Sequence, residues 1–231
     1  MKNFLVISVV VGVLVPHLLL GALPTDLHVQ YDRDGGLYPE RTHIDLSTNG
    51  GVYQHYYNGV EQKVNFSVSQ KEMNTVYTTL RWYFFSTIKT KTKEVYDRGG
   101  DSISLIIGTN VITKSNLGQS FITGALSRWR YDRIANSINT LVQKKLPAYR
   151  RPLTIEVESH LTDYKVRLAI NGQQITNWNN ITVLPGTNEL SVALYDDLDM
   201  WIIGESFVVE IPEVKIARIQ IRDRDISLST E

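Results

Sequence analysis

From Thr42 to Val68 the chain falls into three runs of alternating character, THIDLST, GVYQHYY and VEQKVNFSV, set off by Asn49-Gly50 and Asn58-Gly59. Asn-Gly is the strongest short hairpin signal, because a type I′ turn needs positive φ at both central residues. Two-residue turns at both pairs set Leu46 opposite Tyr53 and Ile44 opposite His55. They then set Tyr57 opposite Val60, His55 opposite Gln62 and Tyr53 opposite Val64. Side chains alternate faces along a strand. Ile44, Leu46, Tyr53, His55, Tyr57, Val60, Val64, Phe66 and Val68 therefore share one face, with Gln62 as its polar exception. His43, Asp45, Gln54, Tyr56, Glu61 and Lys63 take the other. The apolar face needs a cover.

The next segment supplies one. Ser69 and Glu72 form a capping box, and Met73, Val76, Tyr77, Leu80 and Phe84 recur at helical spacing, predicting a helix to about Trp82. Lys89, Lys91 and Lys93 alternate with threonine, which reads as an exposed strand or loop guarding an edge. Val95–Asp97 and Asp101–Ile107 bracket Arg98-Gly99-Gly100 as a further hairpin. A second helix is expected from about Ser120 to Lys145, with a stripe at Ile134, Ile138, Leu141 and Val142 and a stop at Pro147.

Leu146–Pro152 reads as a linker. Beyond it the pattern is short strands only, at 153–158, 164–170, 173–175, 181–184, 189–194, 206–211 and 214–222, with turns at Asn171-Gly172 and Pro185-Gly186. Val214 and Ile216 are out of phase with Ile219 and Ile221, which predicts a bulge near Ala217-Arg218. The polar tail from Arg222 is expected to fray. The fold class expected is an α+β N-terminal domain at 25–147, an antiparallel sheet covered by two helices, followed by a small all-β sandwich of immunoglobulin-like type at 152–225.

Composition narrows the function. The 231 residues carry 24 Lys+Arg against 24 Asp+Glu and no cysteine. Zero net charge gives no whole-molecule field for nucleic acid or an anionic membrane. The lack of cysteine removes disulfides, a thiol nucleophile and thiolate metal ligands. After Met1-Lys2-Asn3, the run to Leu23 is apolar except for Ser8 and His17. It reads as a signal peptide over 1–22 cut after Ala22, or as a retained membrane anchor. Either places the remainder outside the cytoplasm: periplasm, cell surface or secreted.

Candidate chemistry is sparse. There is no HExxH, GxSxG, SxxK or Walker pattern. His55 reads as a half-buried core histidine, and His43 lies near Tyr56 and Glu61 on the outer face. Asp196, Asp197 and Asp199 in one loop offer oxygen ligands for Ca²⁺, against a plain Asx-capped turn; no other cofactor is expected. Asn65 and Asn180 sit in glycosylation sequons. The aromatics are numerous, with 12 Tyr, 6 Phe and 4 Trp. Trp178 in an Asn-rich loop, Trp201 and outer-face Tyr56 are the candidates for partner binding, because flat rings give contact area at low entropic cost.

The order of NGG strand, NFSVSQKEM helix, VYDRGG hairpin, KSN loop and long helix over 42–145 resembles exported proteins of unknown function in Bacteroidota-type bacteria. The C-terminal part, with its NG hairpin and LPGTNEL, is similar to extracellular β-sandwich modules, which mostly bind or space. The expected function is an exported non-catalytic module binding a protein or glycan in the cell envelope. The alternatives are an envelope enzyme or enzyme subunit with its site between the domains, and an anchored structural component.

Overall fold

The structure, a computed structural model, describes residues 23–95, 98–159, 163–178, 181–211, 213–222 and 225–231. The leader reading at 1–22 therefore falls outside the described residues, as do Asp97, Asn180 and Asp223-Arg224.

The meander forms as β2 (Glu40–Ser47), β3 (Gly50–Tyr57) and β4 (Val60–Phe66), preceded by β1 (Leu27–Asp34). The second turn has the expected register, with Tyr57 opposite Val60 and His55 opposite Gln62. Asn58 and Gly59 take the positive φ that this turn needs, 48° and 88°. The first turn uses Thr48-Asn49 instead, so Ile44 faces Tyr53 and Thr42 faces His55. That two-residue slip keeps every side chain on its expected face. The second-turn register sets Gly51 opposite Phe66, where a Cβ would lie 2.4 Å from the Phe66 ring. The missing side chain makes room for that ring.

The cover is two antiparallel helices, α1 (Gln70–Trp82) and α2 (Ala125–Lys145). Met73, Val76 and Leu80 of α1 join Ile134, Ile138 and Val142 of α2 over Leu27, Val29, Ile44, Leu46, Val64 and Phe66. Ser69 and Glu72 make the expected capping box. Glu72 also pairs with Lys145 at the far end of α2, Nζ to Oε1 2.8 Å. Lys145 and the Ser69 backbone and hydroxyl hold the Glu72 carboxyl down at about 2. A depressed acid stabilises the fold above its unfolded value of 4.5, and that contribution is lost as pH falls from there toward 2. Glu72→Gln is expected to cost about 1 kcal/mol near pH 7, since the pair is partly open to water. Urea melts of both proteins at stepped pH should show the gap closing as the solution is acidified below about pH 4.

β6 (Gly100–Ile107) has β1 on one edge and β7 (Asn110–Ser115) on the other, and residues 96–97 of the expected hairpin lie outside the described residues. Two further expectations are corrected in this half. The second helix starts at Ala125 rather than Ser120, because 120–122 form β8 against β5 (Thr90–Thr92). The supposed linker is structural: Leu146–Tyr149 is a 3₁₀ turn whose Leu146 is buried in the first core, and β9 begins at Arg151.

The remaining strands are β9 (Arg151–Ser159), β10 (Lys165–Ile170), β11 (Gln173–Ile175), β12 (Ile181–Val183), β13 (Gly186–Tyr195), β14 (Trp201–Ile211), β15 (Ile216–Arg222) and β16 (Asp225–Thr230). The tail does not fray into solvent but pairs with β15 as β16 and buries Ile226. No bulge is needed at Ala217-Arg218, because Ala217, Ile219 and Ile221 point inward in one phase, with β15 parallel to β9.

The largest correction is to the fold class. Among the described residues strand makes up 53% and helix 21%, in two α-helices and two short 3₁₀ turns. The chain does not divide into an α+β domain covered by two helices and then a small separate sandwich. Ten of the described strands form one curled sheet, β11-β10-β13-β4-β3-β2-β1-β6-β7 with β14 on β13. The join is Gly186 of β13 opposite Gln62 of β4. Paired residues share a face, so the inward side chains of β13 continue the apolar face of the meander. The helices cover one stretch of that face. The four-stranded sheet β12-β9-β15-β16 covers the other, β-sandwich fashion. Its Leu153, Ile155, Ile219 and Ile221 share a core with Leu190 and Val192 of β13.

Candidate functional site

Gln62, the polar exception on the apolar face, marks where the two covers meet. It is 6% exposed, and its Nε2 donates to Oδ1 of Asn188, which is wholly buried. The same Asn188 oxygen accepts from Asn171 Nδ2 at 3.0 Å, and Asn188 Nδ2 donates to the carbonyls of Leu184 (3.2 Å) and Gly186 (2.8 Å). Beside it, Asn58 Nδ2 donates to Glu189 Oε2 at 2.8 Å. This polar seam ties β4 and the Asn58-Gly59 turn to β13 and the Asn171-Gly172 turn.

Next to the seam opens a cleft of about 660 Å³. Its walls are Glu40, Thr42 and His55 from the meander, Asn139 and Gln143 from α2, and the stretch from Gln173 to Asn177 at β11. Tyr31, Tyr53 and Arg150 also face it. Side-chain amides dominate. Gln143, Gln173, Gln174 and Asn177 are exposed, and none makes a side-chain hydrogen bond among the described residues.

The titratable groups are few. His55 Nδ1 lies 3.2 Å from Thr42 Oγ1, and its ring runs nearly parallel to Tyr53, 12° apart with centroids at 6.3 Å. Burial pushes the His55 imidazole below its ordinary value, with the Glu40 charge working against it. His55 is therefore neutral near pH 7. Burial, then the Glu40 charge, raises the Tyr53 hydroxyl. Among the described residues that line the cleft, Glu40 is the one carboxylate. Under the cleft, Tyr31 donates to Asp101 Oδ2 at 3.2 Å. Burial raises Asp101, against the hydroxyls of Tyr31 and Tyr131. Burial also raises Tyr131 strongly, and its hydroxyl has no hydrogen-bond partner within normal geometry among the described residues.

The residues singled out from the sequence are spread over the molecule. Asp196, Asp197 and Asp199 lie in the turn between β13 and β14. Asp196 Oδ1 accepts from the Leu198 and Met200 amides at 2.9 and 2.8 Å, an Asx-type cap. Asp199 is held below the usual carboxylate range by Lys165, 3.1 Å away, with Arg167 at 3.2 Å. Among the described residues no three His, Asp or Glu side chains gather as a metal group. Trp178 packs on the second core and donates to the Ile175 carbonyl at 3.3 Å. Trp201 is exposed at the start of β14, and Tyr56 is exposed on the outer face of β3 beside Glu61. His43 pairs with Asp32 at 2.6 Å rather than with Tyr56 or Glu61. Asn65 is exposed on the outer face of β4. Of all these and His55, only His55 lines the cleft. The amides escape sequence reasoning because they bear no catalytic signature. Their signals are the misplaced polar Gln62 and the amide density of 171–177.

No protein-family model, no curated protein and no solved structure matches the chain. The functional reading therefore rests on the cleft itself.

Proposed function

We propose that the protein is an exported, non-catalytic binding module, and that the cleft takes a glycan of the cell envelope, a neutral hydroxyl-rich chain. The observation that carries this reading is the set of four amides without a side-chain partner among the described residues, Gln143, Gln173, Gln174 and Asn177, around one 660 Å³ cleft. Each amide offers both donors and an acceptor, which matches the mixed character of a sugar hydroxyl. Tyr31 and Tyr53, both largely buried, also line the cleft. A binding role is also supported by the carboxylate count. Hydrolysis of a glycosidic bond ordinarily uses two carboxyl groups flanking it, and among the described lining residues Glu40 is the one carboxylate. Export rests on the apolar run at 4–23.

The test is a screen of envelope and host oligosaccharides on an array, with calorimetry on the hits. Gln143→Ala combined with Asn177→Ala is expected to weaken binding by about tenfold or more, for the loss of two hydrogen bonds, with the melting temperature little changed. Absence of any oligosaccharide ligand, or equal affinity of the double variant, would sink the glycan reading. Cleavage of a bound oligosaccharide would instead favour the envelope enzyme.

A further inference from the structure

A second surface lies where α1 ends and α2 begins, and it takes no part in the cleft. Trp82, Phe84, Leu126 and Trp129 are 63%, 64%, 62% and 48% exposed. They belong to one patch. Tyr83 meets Trp129 edge-on with centroids 5.3 Å apart. Arg130 Nη1 donates to Thr87 Oγ1 at 3.1 Å, and the Thr123 amide donates to the Lys89 carbonyl at 2.9 Å. Phe84 is held in this position by a left-handed backbone, φ 49°. That conformation is unfavourable for a bulky residue and clusters at functional places. Its carbonyl accepts from the Thr87 amide and hydroxyl, both at 2.9 Å, which fixes the bend.

The charge around the patch is one-sided. Residues 81–94 and 124–133 carry seven arginines and lysines, among them Lys89, Lys91, Lys93 and Arg128, against two carboxylates, Glu94 and Asp132. The whole chain is balanced at 24 against 24, so this is a local asymmetry. The three lysines are exposed on or beside β5, a three-residue strand that pairs only with β8 among the described strands. Exposed Trp, Phe and Leu with Lys and Arg on the same stretches of chain are the composition of a surface that lies in a bilayer interface, with rings at the headgroup level and cations on the phosphates. Among the described residues no helix is long and apolar enough to cross a membrane.

We propose that this surface docks onto an anionic lipid bilayer, Trp82, Phe84, Leu126 and Trp129 entering the headgroup region while Lys89, Lys91, Lys93 and Arg128 contact lipid phosphates. The inference is independent of the cleft and its ligand. The occupant is a lipid surface rather than a soluble polyanion because the patch sets four large apolar side chains among its cations. A polyanion would use the cations alone.

The experiment uses the full chain with vesicles of phosphatidylcholine containing about one third phosphatidylglycerol, and with pure phosphatidylcholine. The readouts are hydrogen-exchange protection at 82–93 and 124–130 and quenching of tryptophan by brominated lipid. A contact made by the N-terminal apolar run alone would move neither at those segments. The anionic vesicles should protect both segments, pure phosphatidylcholine should protect them far less, and salt should reverse the effect. Trp82→Ser with Phe84→Ser should abolish the protection and the extra quenching. Reversal of the lysines, Lys89→Glu with Lys91→Glu and Lys93→Glu, should weaken anionic binding at these segments by at least about tenfold while leaving the apolar residues in place. Equal protection on neutral vesicles, no protection on either, or protection by heparin without lipid quenching would overturn the proposal.

Discussion

Replacing Asn188 with alanine is expected to lower the stability of the protein by roughly 3–5 kcal/mol, among the largest effects of any single polar substitution. The side chain is wholly buried and makes four hydrogen bonds, accepting from Gln62 and Asn171 and donating to the carbonyls of Leu184 and Gly186. Truncation leaves two amide donors and two carbonyls without partners at the point where helices and four-stranded sheet meet. The cost is then several unsatisfied groups rather than one lost bond. Urea unfolding would measure it. A double-mutant cycle with Gln62→Ala should be strongly non-additive, because the second change removes a partner already orphaned. A loss under about 1 kcal/mol would mean that water satisfies the seam and that it does not hold the halves together.

The second large effect is expected at Gly186. Its φ is 104°, and a Cβ there would lie 2.9 Å from the Glu61 carbonyl oxygen and 3.2 Å from the Gln62 Cα. Gly186→Ala thus combines backbone strain with a clash against backbone that cannot give way, and is expected to cost roughly 2–4 kcal/mol. Gly59→Ala is the comparison. Gly59 also has a positive φ, 88°, but nothing lies within 4 Å of its would-be Cβ. It should cost only about 1 kcal/mol, the strain alone. Hydrogen exchange gives the local readout: in Gly186→Ala, protection should fall around Gln62 and Gly186 while the α1 and α2 amides keep theirs. Similar costs for the two variants would show that the close approach of β13 to β4 is not what the glycine serves.

The first half of the chain was legible in its elements, and the reason is that its signals are local. Asn58-Gly59 fixes a turn by the φ its two residues tolerate. Ser69 and Glu72 cap a helix across three residues. Alternation put Ile44, Leu46, Tyr53, Val60, Val64 and Phe66 on one side, and all are buried. The first turn lies two residues from its expected register, on Thr48-Asn49 rather than Asn49-Gly50. The cleft was nearly illegible. Its amides look like ordinary surface residues, and only the third dimension brings Gln143 of α2 toward Gln173 and Gln174 of β11.

Leu146–Pro152 shows the same limit in the fold class. Two prolines and two arginines look like a boundary between domains, yet the chain there passes directly from one core to the next. By itself the sequence determined the Asn58-Gly59 turn, the cap, the strand content of the second half and which face of the meander is apolar. Each depends on the conformational preference of a few neighbouring residues or on a period of two or 3.6. Only the tertiary structure decided that the two halves share one sheet. That union rests on a single glycine whose missing side chain admits β4, and on Gln62 reaching Asn188, 126 residues away. No local pattern encodes a partner at that distance. What the sequence did show was a polar residue on an apolar face, a mark of something to come that it did not name.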